Sequence, residues 1–303
     1  MYHKPALLDE TILGLAINPD GVYVDVTFGG GGHSKAILEQ LSEHGKLFAF
    51  DQDPDAERNS IEDSRFTLIK QNFSFLKNYL RMYQAVPVDG ILADLGVSFH
   101  QFDVAERGFS FRFSGPLDMR MDKARKLTAA KIVNTYSEEE LTRIFKTYGE
   151  LNNTAKVVDR IVKARAEAKI ETIDEFKNCL KGMVPAKVEH KFLAQVFQAL
   201  RIEVNEELAV IEQMLSQSAE VLKEKGRLAV ITYHSLEDRL VKNYFKTGNF
   251  KGDLNKDFFG NIERPLEPIN RKPIIPSDEE IKENNRARSA KLRIAEKRMI
   301  QNN

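Results

Sequence analysis

Three aspartates, Asp25, Asp51 and Asp94, each close a short apolar run, and the first stands just ahead of four successive glycines, Gly29 to Gly32. Successive glycines let backbone approach a ligand closely, and a helix that starts just after them offers unpaired N–H groups. Three cofactor classes compete for such a loop. A phosphate-binding P-loop needs Gly-Lys-Ser/Thr at the helix start, but His33-Ser34-Lys35 stands there, with no lysine placed to neutralise phosphates. A nicotinamide fingerprint becomes Gly29-x-Gly31-x-x-Ser34; the third glycine is missing, yet Asp51 lies 20 residues beyond Gly31, where a ribose-binding acid belongs. S-adenosylmethionine carries ribose hydroxyls and a positive sulfonium but no phosphate, so its pocket favours acids around the loop. An acid at a strand end often only caps the following turn. Three of them, one preceding a glycine run, point instead to a ligand site.

The elements that must position these groups are readable from the same runs. Val22 to Val26 is β-branched and aromatic, enters the glycines directly, and is followed by Ser34 to Leu41 with Ile37, Leu38 and Leu41 apolar: strand, glycine turn, helix. Leu47 to Phe50 ends in Asp51, Phe66 to Ile69 leads to Asn72-Phe73, and Ile91 to Ala93 ends in Asp94. Short buried strands of this kind predict an α/β fold with a mostly parallel, doubly wound sheet, whose ligands sit at the carboxyl ends of the strands. The next convincing strand, Leu228 to Thr232, comes more than a hundred residues after Asp94, far beyond the reach of an ordinary parallel crossover. Within the gap, Ser137-Glu138-Glu139-Glu140 and Thr172-Ile173-Asp174-Glu175 are capping boxes, and Leu141, Ile144, Phe145 and Tyr148 share one helix face. The expectation is a first part at 1–105, a helical insertion at 106–206 that serves substrate recognition, and a second part at 207–303 ending in a basic tail.

Composition narrows the class. The 303 residues carry 45 Lys or Arg and 45 Asp or Glu, so net charge names no partner, and 42% apolar content is enough for a core. No apolar run approaches the roughly 20 residues of a membrane helix, and Met1-Tyr2-His3-Lys4-Pro5 opens no signal peptide. One cysteine, Cys179, and six histidines without Cys-x-x-Cys or His-x-x-x-His spacing predict a reducing, cytoplasmic setting with no structural metal.

Several longer strings resemble one family. They are Val24-Asp25-Val26-Thr27-Phe28-Gly29-Gly30-Gly31-Gly32-His33-Ser34, Asp94-Leu95-Gly96-Val97-Ser98, Glu106-Arg107-Gly108-Phe109-Ser110-Phe111, and Gly115-Pro116-Leu117-Asp118-Met119-Arg120-Met121-Asp122. Phe197 to Ile202, His234 to Arg239 and Arg286 to Arg293 continue the series to the end of the chain. In this order they are similar to the MraW family of bacterial small-subunit ribosomal RNA methyltransferases, which methylate N4 of a cytidine in the decoding region of 16S rRNA. The resemblance implies a class I, Rossmann-like S-adenosylmethionine-dependent methyltransferase with a helical insertion. It implies cofactor contacts from Gly31, Gly32, His33, Asp51, Phe73, Asp94 and Gln101, and 16S rRNA or the small ribosomal subunit as partner. At Phe99-His100, where many members carry Ser-Pro or Ser-His after the motif's aspartate turn, the chain departs from the pattern.

For that chemistry the cofactor is itself the activated electrophile, and the protein must chiefly align the reactants. Asp94 is expected either to contact the acceptor amine or to hold the loop that makes this contact, and His234, just after a strand, is a candidate for the released proton. Methylation at carbon 5 of a pyrimidine would need a cysteine, but Cys179 beside Leu180 reads as a small core residue. For RNA, the segment from Asn284 to Asn303 has six basic residues against one acid, and Ala105 to Lys126 interleaves Arg107, Arg112 and Arg120 with Phe109, Phe111 and Phe113. Arg107, Arg112, Arg120, Arg286, Arg288, Lys291 and Arg293 are the expected RNA contacts. A competing reading makes the tail a helix that docks Leu292, Ala295 and Met299 on the core. The alternatives for the whole chain are a nicotinamide oxidoreductase and a non-catalytic RNA-binding assembly factor.

Overall fold

The chain begins with α1 (Leu8–Leu15), β1 (Val22–Asp25), the glycine loop and α2 (Gly32–Gln40), then β2 (Lys46–Phe50), β3 (Phe66–Ile69), α3 (Leu76–Met82) and β4 (Val88–Asp94). The computed structural model describes residues 5–258 and 260–299, and the side chain of Phe99 is outside the description. The leader reading of Met1 to Lys4 also falls outside the described residues. Two units divide the chain: Met1–Gly96 with Leu208–Asn303, and Val97–Glu207.

The second unit carries α4 (Phe99–Asp103), α5 (Ala129–Thr135), α6 (Glu138–Thr147), α7 (Thr154–Glu167), α8 (Ile173–Cys179) and α9 (Ala186–Asn205). Both expected capping boxes form: Ser137 and Glu140 cap α6, and Thr172 and Glu175 cap α8, each pair satisfying two N–H groups that a helix start leaves unpaired. Leu141, Ile144 and Phe145 of α6 meet Val157 and Ile161 of α7 and Val196, Phe197 and Leu200 of α9 in one core. Phe109 belongs to that core, and Phe102 of α4 packs against it. For this reason the unit begins at Val97 rather than at the expected 106.

After α10 (Glu207–Val221) the chain enters β5 (Leu222–Thr232), α11 (Ser235–Thr247), β6 (Leu266–Pro268), α12 (Asp278–Glu283) and β7 (Lys291–Lys297). The sheet runs β3-β2-β1-β4-β5-β7-β6, with β7 antiparallel to both neighbours and β1 to β5 parallel. This is the class I methyltransferase topology. Alternation along the strands feeds two cores: Val24, Phe48, Phe50, Ile91, Val230 and Ala295 point to one, with Leu76, Leu80 and Met214 of the covering helices. Tyr23, Leu47, Leu92, Ala229, Leu292 and Ile294 point to the other, with Leu15, Ile37 and Leu38.

The tail corrects the helical reading. Lys291 to Lys297 is a strand that pairs along Arg227 to Thr232 of β5, so Leu292 and Ala295 are buried through sheet pairing, while Met299 is 58% exposed. Leu292 and Ile294 flank Arg293 at the period-2 spacing of a strand, which the helical reading of Leu292, Ala295 and Met299 passed over. Among the described residues, no helix is long and apolar enough to cross a membrane.

Candidate active site

From β1 the chain proceeds outward to β2 and β3 and then returns to place β4 on the other side of β1. A crevice opens at the carboxyl ends of strands that diverge in this way. Asp25 closes β1, Asp94 closes β4, and Asp51 follows β2 directly.

Asp25 is 1% exposed and fully occupied: Oδ2 accepts from Ser34 Oγ at 2.7 Å, and Oδ1 accepts from Thr27 N at 3.0 Å. Burial raises its pKa, against these hydrogen bonds. It ties the strand end to the first turn of α2, which is a structural role. Thr27 extends the tie, since the Asp94 N–H donates to its Oγ1 at 2.6 Å.

Asp51 holds the glycine loop. Its Oδ2 accepts from Gly29 N at 2.8 Å and its Oδ1 from Asp53 N at 2.8 Å, while Asn59 Nδ2 donates to Gly29 O at 2.9 Å. Burial pushes its pKa up to about 6, these backbone donors oppose the shift, and the nearby Asp53 and Asp25 add to it. Within the loop, Gly31 has φ +75°, where an L side chain is strained, and a Cβ on Gly32 would lie 2.3 Å from Pro5 Cγ. With Gly29 also at φ +50°, three of the four glycines answer to backbone conformation and packing before any ligand is considered. Phe73 opens a short 3-10 turn after β3, capped by Asn72, and packs half-buried against the core.

Asp94 is the least neutralised of the three. Tyr233 Oη donates to its Oδ1 at 2.8 Å, and His33 Nδ1 stands 3.7 Å from its Oδ2. The carboxyl side chain is still 22% exposed, so a ligand can reach it. Burial pushes its pKa up to about 7, with Asp25 and Glu237 adding repulsion and the Tyr233 hydrogen bond opposing. His33 is 5% exposed, and burial drives its pKa down to about 4, so at neutral pH it is uncharged and forms no ion pair with Asp94.

His234 does not join this group as a proton acceptor. It is the N-cap of α11: Glu237 N donates to its Nδ1 at 3.4 Å, and its Nε2 lies 2.9 Å from Glu237 Oε1. Its neighbour Tyr233 is the residue that sequence reasoning missed. It follows β5 directly, as Asp51 follows β2, and the same strand-end signal would have found it. Gln101 belongs to the other unit, where its amide and Ser98 form the capping box of α4. Cys179, at the end of α8, has a thiol that burial pushes up to about 11, which suits packing and not nucleophilic attack.

The expected RNA contacts separate into two sets. Arg107 is 4% exposed and donates through Nη2 to the carbonyls of Arg120 and Met121 at 3.0 and 3.1 Å. Arg120 grips Asp118 with two hydrogen bonds, at 2.8 and 2.7 Å, and reaches the carbonyls of Lys123 and Arg125. Arg293, 7% exposed, is paired with Asp238 at 2.7 Å, and Lys291 lies 3.7 Å from the same carboxylate. The charges of Arg107, Arg120 and Arg293 are engaged within the fold, which argues against an RNA role for these three, while the Lys291 side chain stays 42% exposed beside its ion pair. Arg112, Arg286 and Arg288 are exposed.

The sequence pattern of the MraW methylase family matches residues 1–298. The chain is 58% identical over 296 residues to a ribosomal RNA small subunit methyltransferase H of Flavobacterium johnsoniae, covering 98% of each chain. It is 57% identical over 297 residues to the protein of the same description from Bacteroides fragilis, again over 98% of each. A third, from Flavobacterium psychrophilum, is 58% identical over 292 residues, covering 96% of this chain and 100% of the relative.

Proposed function

The chain belongs to the MraW methylase family, and from that premise we propose that it is an rRNA (cytosine-N4-)-methyltransferase, using S-adenosylmethionine to methylate a cytidine of 16S rRNA in the small ribosomal subunit. The observation that carries this reading is the acidic cluster at the strand ends. Among the described residues, Asp25, Asp51 and Asp94 take their hydrogen bonds from hydroxyl and backbone groups, with no lysine or arginine among the donors. Such a donor set fits a ligand with ribose hydroxyls and a positive charge, and it is wrong for a phosphate.

When bound, S-adenosylmethionine supplies an activated methyl group. Gly31 and Gly32 bring backbone to it, Asp51 holds the ribose from the end of β2, Phe73 flanks the adenine, and His33 and Asp94 line the methionine end. An exocyclic cytosine amine is a poor nucleophile because its lone pair is delocalised into the ring. An acceptor on its N–H favours the pyramidal nitrogen that attacks. Asp94 is that acceptor, with Oδ1 engaged by Tyr233 and Oδ2 turned to the substrate. The cytoplasm, where ribosomes are assembled in bacteria, is the place of action.

The test incubates the purified protein with methyl-labelled S-adenosylmethionine and small subunits from cells lacking the gene, alongside free 16S rRNA. Digestion and mass spectrometry should find label as N4-methylcytidine in at least one of the two substrates. Label on carbon 5, on another nucleoside, or nowhere would sink the reading. S-adenosylhomocysteine should also raise the melting temperature where NAD does not; a nicotinamide oxidoreductase reverses that result, and a non-catalytic assembly factor yields no labelled RNA.

A further inference from the structure

Asp94 stands between two side chains that treat its two oxygens differently. On one side, Tyr233 just after β5 donates to Oδ1 at 2.8 Å. On the other, His33 on α2 faces Oδ2 through Nδ1 at 3.7 Å, while its Nε2 lies 3.2 Å from the Ala6 carbonyl oxygen. A carbonyl oxygen only accepts, so Nε2 carries the hydrogen and neutral His33 turns a bare lone pair toward Asp94. When Asp94 is ionised, two acceptors face each other across that gap. The other charged groups that bear on Asp94 are Asp25 at the end of β1 and Glu237 on α11, both acids. Among the described residues, the Tyr233 hydroxyl is what compensates the carboxylate. A single proton on Oδ2, on the side that faces Nδ1 across 3.7 Å, removes the conflict.

Building on the methyl-transfer reading, we propose that Asp94 and His33 form a single-proton pair whose facing lone pairs make the Asp94 carboxylate a strong proton acceptor, and that Tyr233 is the positioning residue that occupies Oδ1 and leaves Oδ2 for the substrate. At rest the pair holds one proton and must release it to solvent before Asp94 can work. In the reaction a bond forms between N4 and the methyl carbon as the carbon–sulfur bond breaks, its electron pair staying on sulfur. One N4–H bond then gives its proton to Asp94 Oδ2 and leaves its electron pair on nitrogen. Once the product departs, the proton on Oδ2 is lost to solvent and the pair is reset. His33 is a positioning residue as well, because it acts on substrate only through Asp94.

The first measurement needs no turnover. Nuclear magnetic resonance of the cofactor-free protein, with His33 assigned from a His33→Asn variant, should show an Nε2-protonated imidazole across about pH 5 to 9. Its Nδ1 resonance should move through one inflection that coincides with the titration of the Asp94 carboxyl carbon, and Asp94→Asn should abolish that inflection. A His33 resonance with no inflection, or with the same one in Asp94→Asn, overturns the pair. The second measurement follows kcat against pH in Tyr233→Phe, which keeps the ring and removes the hydroxyl. Losing a donor to the carboxylate should raise the acid-limb inflection by about one pH unit, with KM for the RNA substrate unchanged. A uniform fall in kcat at an unmoved inflection would make Tyr233 merely structural and overturn its part. Failure of the wild-type protein to methylate RNA, with the coupled inflection present, would remove the methyl-transfer reading while supporting the pair.

Discussion

Two polar clusters dominate the chain, and they are built on opposite principles. In the insertion, Arg107 donates to the carbonyls of Arg120 and Met121, Asn205 Nδ2 donates to Met119 O, and Met121 N donates to Asn205 Oδ1. Arg120 and Asp118 neutralise each other within the same loop. At the strand ends of the other unit, Asp25, Asp51 and Asp94 have no lysine or arginine among their hydrogen-bond partners in the described residues, and burial raises the pKa of each. A polar cluster whose donors, acceptors and charges cancel is scaffolding, because nothing is left over to meet a ligand. A cluster held in deficit of positive charge is poised to change protonation or to bind what supplies the charge. On sequence alone the two looked equally like motifs.

The contrast can be tested by breaking each cluster in turn. The largest effect is expected at the deficient one: Asp94→Asn should lower single-turnover methylation by about 10²- to 10⁴-fold at saturating cofactor, with folding intact. Near wild-type turnover would show that the charge deficit has no chemical use. The same variant gives a pH signature. Asp94 holds its proton to about pH 7 when folded but to its ordinary value near 3.8 when unfolded. Between those limits folding takes up a proton, so this contribution is full at low pH and is lost as pH rises through about 7. His33, whose pKa is lowered to about 4, works in the opposite sense below its usual value of 6.5. Urea denaturation of wild type and Asp94→Asn should therefore give a stability difference that moves against wild type as pH rises through that window. A difference that is flat with pH would contradict the raised pKa.

Arg107→Met in the balanced cluster should do the reverse. Two buried carbonyls lose their donor, which costs about 2–4 kcal/mol, while any protein that remains folded should keep its cofactor affinity. Denaturation midpoints alongside calorimetric binding of S-adenosylhomocysteine separate the two quantities. A stable Arg107→Met protein that has lost RNA affinity would restore the discarded RNA role.

A smaller effect is expected at Asp51, which belongs to the deficient cluster but also ties down Gly29. Asp51→Ala should weaken cofactor binding by about 10- to 100-fold, and calorimetry at an unchanged affinity would reduce it to a loop anchor. The smallest effect should come from the exposed arginines near β7. Arg286→Ala with Arg288→Ala should lower the salt dependence of log K for RNA by about 0.7 for each phosphate that is no longer neutralised. Arg293→Ala, in contrast, should cost stability through Asp238 and leave that slope alone.

Much of this was written in the residues themselves. β1, β2 and β3, the glycine turn into α2, and the caps at Ser137 and Thr172 follow from rules that span a few residues: β-branched runs, positive φ at Gly31, a hydroxyl three positions before a glutamate. The inserted unit was legible too, because the spacing between Asp94 and the Leu228 run is too long for a crossover. The strand at Lys291 to Lys297 was not, because a strand is completed by a partner elsewhere, and β5 lies some 60 residues upstream. The hydrogen bond between Tyr233 and Asp94 spans 139 positions, and the bare lone pair of His33 depends on a carbonyl 27 positions away. Residue type told where arginines were, but burial decided which of them were spent: Arg107 and Arg293 fell inside and Arg286 and Arg288 outside. The acidity of a carboxyl is settled the same way, since desolvation and neighbouring charge come from all the chain packed around it and leave no mark on the local sequence.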